Sequence, residues 1–195
     1  MNAIMPPSIP LDEIDEILRQ ADLLCTPDDI RSAYDRMATA ITTTITETLG
    51  RYGNPLILVV PIGGLFPAAQ IISRLDFPLE VDYIHATRYR GDITGKDVHL
   101  LARPRIPLKG RSIIVIDDIL DEGPTLAGIL DFCNESGAHK VYSAVLAEKK
   151  RAREPGVQHA DFTGVTIEDR YVFGCGMDYK GYLRNVPGIH SVKGL

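Results

Sequence analysis

Ile114-Val115-Ile116-Asp117-Asp118-Ile119-Leu120-Asp121-Glu122-Gly123-Pro124-Thr125 decides how this chain is read. The strand formers Ile113 to Ile116 can be buried on both faces, as in a central parallel strand. Asp117 and Asp118 then fall at the strand's carboxyl end, where open α/β sheets bind ligands. Gly123 permits a turn, Pro124 suits a first helical position, and Leu126, Ile129 and Leu130 begin an apolar helical face. The unpaired N–H groups of such a helix start favour an anion. Adjacent carboxylates offer several lone pairs to vicinal hydroxyls, so strand, acids and turn together suggest a cradle for a ribose and a phosphate.

Working outward, the pattern is one of alternating strands and helices, which argues for a parallel sheet. Leu11, Ile14, Ile17 and Leu18 mark a short amphipathic helix. Thr26-Pro27-Asp28-Asp29 is a helix-start signal, and Ile30, Tyr34, Met37, Ile41, Ile45 and Leu49 form one helical face that Gly50 ends. Strand Leu56 to Val60 leads through Ile62-Gly63-Gly64 into a helix around Ala68 to Leu75. Strands near Val81 to Ala86 and Val98 to Leu101 flank a polar loop, Thr87 to Lys96, whose natural use is a lid. Strand Ser112 to Asp117, helix Thr125 to Glu135 and strand Val141 to Leu146 follow. Short strands Phe162 to Thr166 and Tyr171 to Phe173 come next, then irregular chain. A single domain is expected, with a core at about residues 50–150 and a small hood over the sheet's carboxyl edge from about 1–25 and 155–195.

With 45% hydrophobic and 24% charged residues in 195, the composition is that of an ordinary globular protein. A net charge of −5 argues against a nucleic-acid partner. The basic run Lys149-Lys150-Arg151-Ala152-Arg153 is the exception, either a solvated loop or an anion site. The amino terminus lacks the features of a signal peptide, and no apolar run approaches a membrane span. Cys25, Cys133 and Cys175 suit reduced thiols in a cytoplasmic setting, and the histidines show no metal-ligand spacing.

These residues resemble a known family. Two acids after an apolar strand, two apolar residues, then Asp-x-Gly-x-Thr, are similar to the phosphoribosyl-diphosphate (PRPP) signature of type I phosphoribosyltransferases. From about Pro55 to His190 the chain follows the order of hypoxanthine-guanine phosphoribosyltransferases. Val60-Pro61-Ile62-Gly63-Gly64 comes early, Arg88-Tyr89 sits in the mid-chain loop, and a lysine follows a late strand. Val172-Phe173-Gly174-Cys175-Gly176-Met177-Asp178-Tyr179, with Arg184 behind it, points to the 6-oxopurine branch.

The resemblance implies a type I α/β fold and transfer of the phosphoribosyl group from PRPP to hypoxanthine or guanine, with Mg²⁺ and pyrophosphate release. Asp117 and Asp118 would hold the ribose hydroxyls beside the metal, and Asp178 would hold a second Mg²⁺ through water. Asp121 would be the general base toward the purine. Glu122, Gly123, Pro124 and Thr125 would wrap the 5′-phosphate, whereas many relatives carry Asp-Thr-Gly-Lys-Thr. A like charge a few ångström away repels by roughly 1 to 4 kcal/mol, so Glu122 should point away from the phosphate. Ile62, Gly63 and Gly64 would bind pyrophosphate, with a cis peptide between Ile62 and Gly63 and with Arg184 as a cationic clamp. Arg88 and Tyr89 would close as the lid. Lys149 (or Lys150), Arg170, Tyr171, Val172 and Asp178 would recognise the purine, Arg170 standing where relatives carry lysine. The family's dimers and tetramers make a homo-oligomer the default. A regulator that keeps the fold to sense PRPP or a purine is the alternative, and a receiver domain is a more distant one that leaves Gly123 and Tyr179 unexplained.

Overall fold

The structure is a computed structural model that describes residues 9–88, 98–152, 157 and 159–194. Its elements are α1 (Leu11–Gln20), β1 (Asp22–Cys25), α2 (Pro27–Leu49), β2 (Leu56–Val59), α3 (Leu65–Ile72), β3 (Glu80–Tyr83), β4 (His85–Arg88), β5 (Val98–Ala102), β6 (Ser112–Leu120), α4 (Pro124–Glu135), β7 (Lys140–Lys149), β8 (Phe162–Ile167), β9 (Val172–Phe173) and β10 (Ile189–Ser191). Five strands form a parallel sheet in the order β3-β2-β6-β7-β8. β4 and β5 make an antiparallel hairpin, and β1-β10-β9 an antiparallel sheet that joins strands from the two ends of the chain.

The central strands are apolar on both faces because helices cover both faces. Ile57, Val59, Ile114 and Ile116 pack toward α2 and α3, together with Tyr34, Met37, Ile41 and Ile45 of α2. Leu56, Leu58, Ile113 and Val115 face the other way, onto Leu126, Ile129 and Cys133 of α4 and Ala86 of the hairpin. The start of α2 is fixed by a capping box in which Asp29 N–H donates to Thr26 Oγ1 (3.1 Å) and Thr26 N–H to Asp29 Oδ2 (2.9 Å). Gly50 ends the helix at φ 72°.

Three expectations are corrected. β6 does not stop at Asp117, since its ladder with β7 continues through Ile119↔Ala147 and Leu120↔Glu148. The strand expected over Val81 to Ala86 is two strands: β3 stays in the parallel sheet, and the chain leaves it at buried Ile84 to build the β4–β5 hairpin. The chain expected as irregular after Phe173 includes β10, which pairs with β9 and with β1, a strand in a stretch to which no element was assigned. All three cysteines are free thiols. No helix among the described residues is long and apolar enough to cross a membrane.

Truncating Ile114, fully buried between β2 and β7 under α2 and α3, is expected to cost about 3–4 kcal/mol in urea unfolding. A loss below about 1 kcal/mol would show that this strand is not the centre of the core.

Candidate active site

The sheet order creates a switch point. From β2 the chain crosses to β3 on one side, and from β6 it proceeds to β7 and β8 on the other. Loops leaving the carboxyl ends of β2 and β6 therefore border one crevice, the usual ligand position in such sheets. A cavity of about 330 Å³ opens there, and its lining includes Ile62, Gly63, Asp117, Asp118, Asp121, Glu122, Gly123, Thr125, Asp178 and Arg184.

Both glycines after β2 are required by close approach. A β-carbon on Gly63 would lie 1.9 Å from Asp118 Oδ2, and one on Gly64 2.5 Å from the Val60 carbonyl oxygen and 2.7 Å from that of Ile116. The cis peptide in this turn is Pro61–Ile62, not Ile62–Gly63. Val60 N–H still donates to Ile116 O (2.9 Å) and Gly64 N–H returns to Val60 O (3.0 Å), so the chain reverses from Pro61 onward, one residue earlier than expected.

At the end of β6, Asp118 N–H donates to Asp117 Oδ1 (2.8 Å) and Ile119 N–H to Asp118 Oδ1 (3.0 Å). Burial pushes the Asp117 carboxyl well above the usual carboxylate range, and the neighbouring Asp118 charge adds to it. Burial also raises Asp118, against the opposing pull of its contact with Asp117 and of Arg184, whose Nη1 lies 4.0 Å from Asp118 Oδ2. Arg184 also donates to the Gly176 carbonyl (2.6 Å) and pairs with Asp178 (2.5 Å). Among the described residues no three metal-ligating side chains cluster together.

Beyond Leu120 the chain turns at Gly123, φ 91°, and α4 begins with Pro124 and no side-chain cap. Gly123 and Thr125 thus border the cavity at an uncapped helix start. Glu122 is exposed at its rim.

A second cavity, about 210 Å³, shares Asp118, Ile119, Asp121 and Asp178 with the first and adds Lys149, Tyr171, Val172 and Met177. Asp121 sits on the border. Lys149 Nζ donates to its Oδ2 (2.9 Å) and Arg151 Nη1 to its Oδ1 (2.6 Å), while Asp169 stands 3.5 Å from each cation. Partial burial pushes the Asp121 carboxyl up, but the hydrogen bonds from Lys149 and Arg151 outweigh it and hold the group below its ordinary value. Tyr171 presents a half-exposed ring, edge-on to Tyr179 at 5.8 Å.

Two placements differ from the sequence reading. Arg170 lines neither cavity, because Asp22 of β1 offers a carboxylate to its Nη2 at 2.6 Å. Of the two lysines named, Lys149 lines the second cavity and is buried against Asp121, and Lys150 reaches Glu168 at the surface. The first three cations of the basic run thus meet carboxylates of this chain. Arg88 ends β4, whose Ala86 lines the first cavity, and Tyr89 lies outside the described residues. Arg151 was missed, because nothing in the run of cations marks the side chain that reaches Asp121.

Comparison with known proteins agrees with this geometry. Residues 29–180 match the family model described as a phosphoribosyl transferase domain. A hypoxanthine-guanine phosphoribosyltransferase of Lactococcus lactis subsp. lactis is 31% identical over 141 residues, 72% of this chain and 76% of that protein. A bifunctional protein TilS/HprT of Listeria monocytogenes is 28% identical over 172 residues, 88% of this chain, and the chain spans only 26% of that relative's length. A hypoxanthine phosphoribosyltransferase crystal structure from Staphylococcus aureus superposes with a TM-score of 0.79 at 25% identity, covering 91% of this chain and 95% of that one.

Replacing Asp117 by Asn removes one of two adjacent, partly buried carboxylates while keeping an acceptor for the Asp118 N–H. Its melting temperature is expected to rise by about 2–4 °C. A value at or below that of the unmodified protein would show that the pair is not strained by like charge.

Proposed function

Because this chain belongs to the phosphoribosyltransferase family, in its hypoxanthine-guanine branch, we propose that it serves purine salvage. It transfers the 5-phosphoribosyl group from PRPP to hypoxanthine or guanine, giving the nucleoside monophosphate and pyrophosphate. The observation that carries this reading is the pair of cavities that share Asp118, Asp121 and Asp178. One suits a sugar phosphate and the other a flat base, with a carboxylate between them.

Asp117 and Asp118 accept from the two ribose hydroxyls. Gly123 and Thr125 take the 5′-phosphate at the uncapped start of α4, where N–H groups and helix dipole favour an anion. The Ile62-Gly63-Gly64 turn and Arg184 hold the pyrophosphate. Mg²⁺ enters with PRPP as part of the substrate. Asp117 and Asp118 would lie beside such an ion and Asp178 would hold a second one through water, since Mg²⁺ is commonly held by one or two carboxylates plus phosphates rather than by a protein cage. When bound, it offsets charge on the departing pyrophosphate.

In the second cavity Tyr171 stacks on the purine, and Val172 and Asp178 meet its pyrimidine edge. Lys149 donates to the 6-oxo group, so an adenine amino group there faces a donor and is rejected. Asp121 accepts the proton that leaves the purine as the bond to the anomeric carbon forms. Its negative charge also steadies the cationic sugar. Catalysis is otherwise positioning, with Arg88 and Tyr89 closing as a lid and the chain acting as a homo-oligomer.

PRPP- and Mg²⁺-dependent pyrophosphate release is expected with hypoxanthine and guanine and not with adenine. Tight nucleotide binding without turnover on any base would move the assignment to a PRPP- or purine-sensing regulator. Asp121→Asn is expected to lower kcat by about 10²–10⁴-fold with PRPP affinity little changed, and an unchanged kcat would remove Asp121 as the base. Because Asp121 works ionised and its pKa is depressed, activity should persist below the usual carboxylate range and fall as pH drops through the depressed value. Lys149→Gln should move that acid limb upward, and an unmoved limb would show that Asp121 does not govern it.

A further inference from the structure

The phosphate turn carries more negative charge than its ligand favours. Asp117, Asp118, Asp121, Glu122 and Asp178 line the first cavity, and Arg184 is the one cation among its described lining residues. Arg184 is already engaged by Asp178 at 2.5 Å. Whatever offsets Asp121 and Glu122 must therefore act from outside the cavity. Lys149, buried at the end of β7, reaches only the Oδ2 side of Asp121 in the contacts described above. Arg151 reaches the other oxygen.

Arg151 Nη1 sits 2.6 Å from Asp121 Oδ1, and its Nε lies 3.5 Å from Asp169. The Asp121 hydrogen bond first, then the charges of Asp169, Asp121 and Glu122, hold the guanidinium above its ordinary value. One planar fork thus bonds Asp121, the residue next to Glu122 in the Asp121-Glu122-Gly123 turn, and lies beside an anchor on the chain between β8 and β9. A guanidinium is suited to this bridging because its donors are fixed in one plane.

We propose that Arg151 is a positioning residue for the phosphate turn, gathering Asp121 and Glu122 to its outer side so that the uncapped start of α4 and Thr125 meet a phosphate dianion. This rests on the transferase reading of the same site. It also accounts for a chain that carries Glu122 and Pro124 in the turn, since the compensating cation comes from the segment just after β7 rather than from the turn itself.

Titration calorimetry of the full chain with ribose 5-phosphate, which requires neither metal nor purine, tests the role. Arg151→Gln is expected to bind about tenfold more weakly than the unmodified protein. Arg151→Lys, with the charge but not the fork, should fall between them. Adding Glu122→Gln to Arg151→Gln should recover most of the loss, because the uncompensated charge is gone. Glu122→Gln alone, which does not depend on the Arg151 variant folding, should bind about threefold more tightly. Unchanged binding in Arg151→Gln, no recovery in the double variant, or no gain in Glu122→Gln would each overturn the proposal, and a merely structural Arg151 predicts no recovery. If ribose 5-phosphate binding shifts as expected but no purine supports pyrophosphate release, the transferase reading fails and the positioning role stands. Turnover with ribose 5-phosphate affinity unaltered in Arg151→Gln is the reverse case.

Discussion

The parallel pairing of β2 with β6 is the constraint on which the remaining structure depends. Its register, Leu56↔Ile113 through Val59↔Ile116, brings two loops from distant parts of the chain to the same edge of the sheet. The strands can hold that register because both faces are apolar and each face has its own covering helices. A slip by one residue would exchange the two faces, and it would also carry Asp117 and Asp118 out of line with Gly63. The 2.7 Å that a β-carbon at Gly64 would leave to the Ile116 carbonyl oxygen shows how closely the turn after β2 lies on β6.

Charge is the second organising term, and it works against stability. Asp117 and Asp118 are adjacent and partly buried, and both carboxyls are displaced upward by desolvation. Displaced carboxyls of this kind cluster where a ligand or function uses them. Asp121, three residues on, has the opposite environment, since Lys149 and Arg151 hold it below its ordinary value. Two environments within one turn therefore separate carboxyls that are inclined to share protons from one that stays ionised. Pairs of titratable groups whose environments push their pKa values apart in this way are suited to separate acid and base roles.

Local signals carried most of the core. Alternating apolar strands and helices gave the parallel sheet, Thr26 to Asp29 the start of α2, and the Asp117 to Thr125 run the ligand edge. Non-local pairing was the part that composition and periodicity could not reveal. β1 and β10 are short and owe their extended form to each other, so neither has a self-sufficient pattern. Arg170 shows the same limit at the site, because its position in the motif says nothing of Asp22, which lies at the other end of the chain and captures it. Arg151 was invisible for a related reason: in a run of cations, only the fold distinguishes the side chain that reaches Asp121 from the one that reaches Glu168.

The terminal segments decide whether the crevice gains its second cavity. The sheet supplies the acids and the Gly123 turn, but Tyr171, Val172, Met177 and Asp178 of the second cavity all follow β8. That stretch is seated by close backbone contact, since a β-carbon on Gly176 would lie 2.4 Å from the Gly63 carbonyl oxygen. Arg184 then ties the Gly176 carbonyl to Asp178. Tyr179 and Lys180 both donate to Glu13 of α1 (2.8 and 2.7 Å), and Ile14 packs among Phe173, Tyr179, Leu183 and Val192. The second cavity therefore exists only when the two ends of the chain are packed together on the Pro61–Gly64 turn. The walls of that cavity and the closure of the fold are, in this molecule, the same set of contacts.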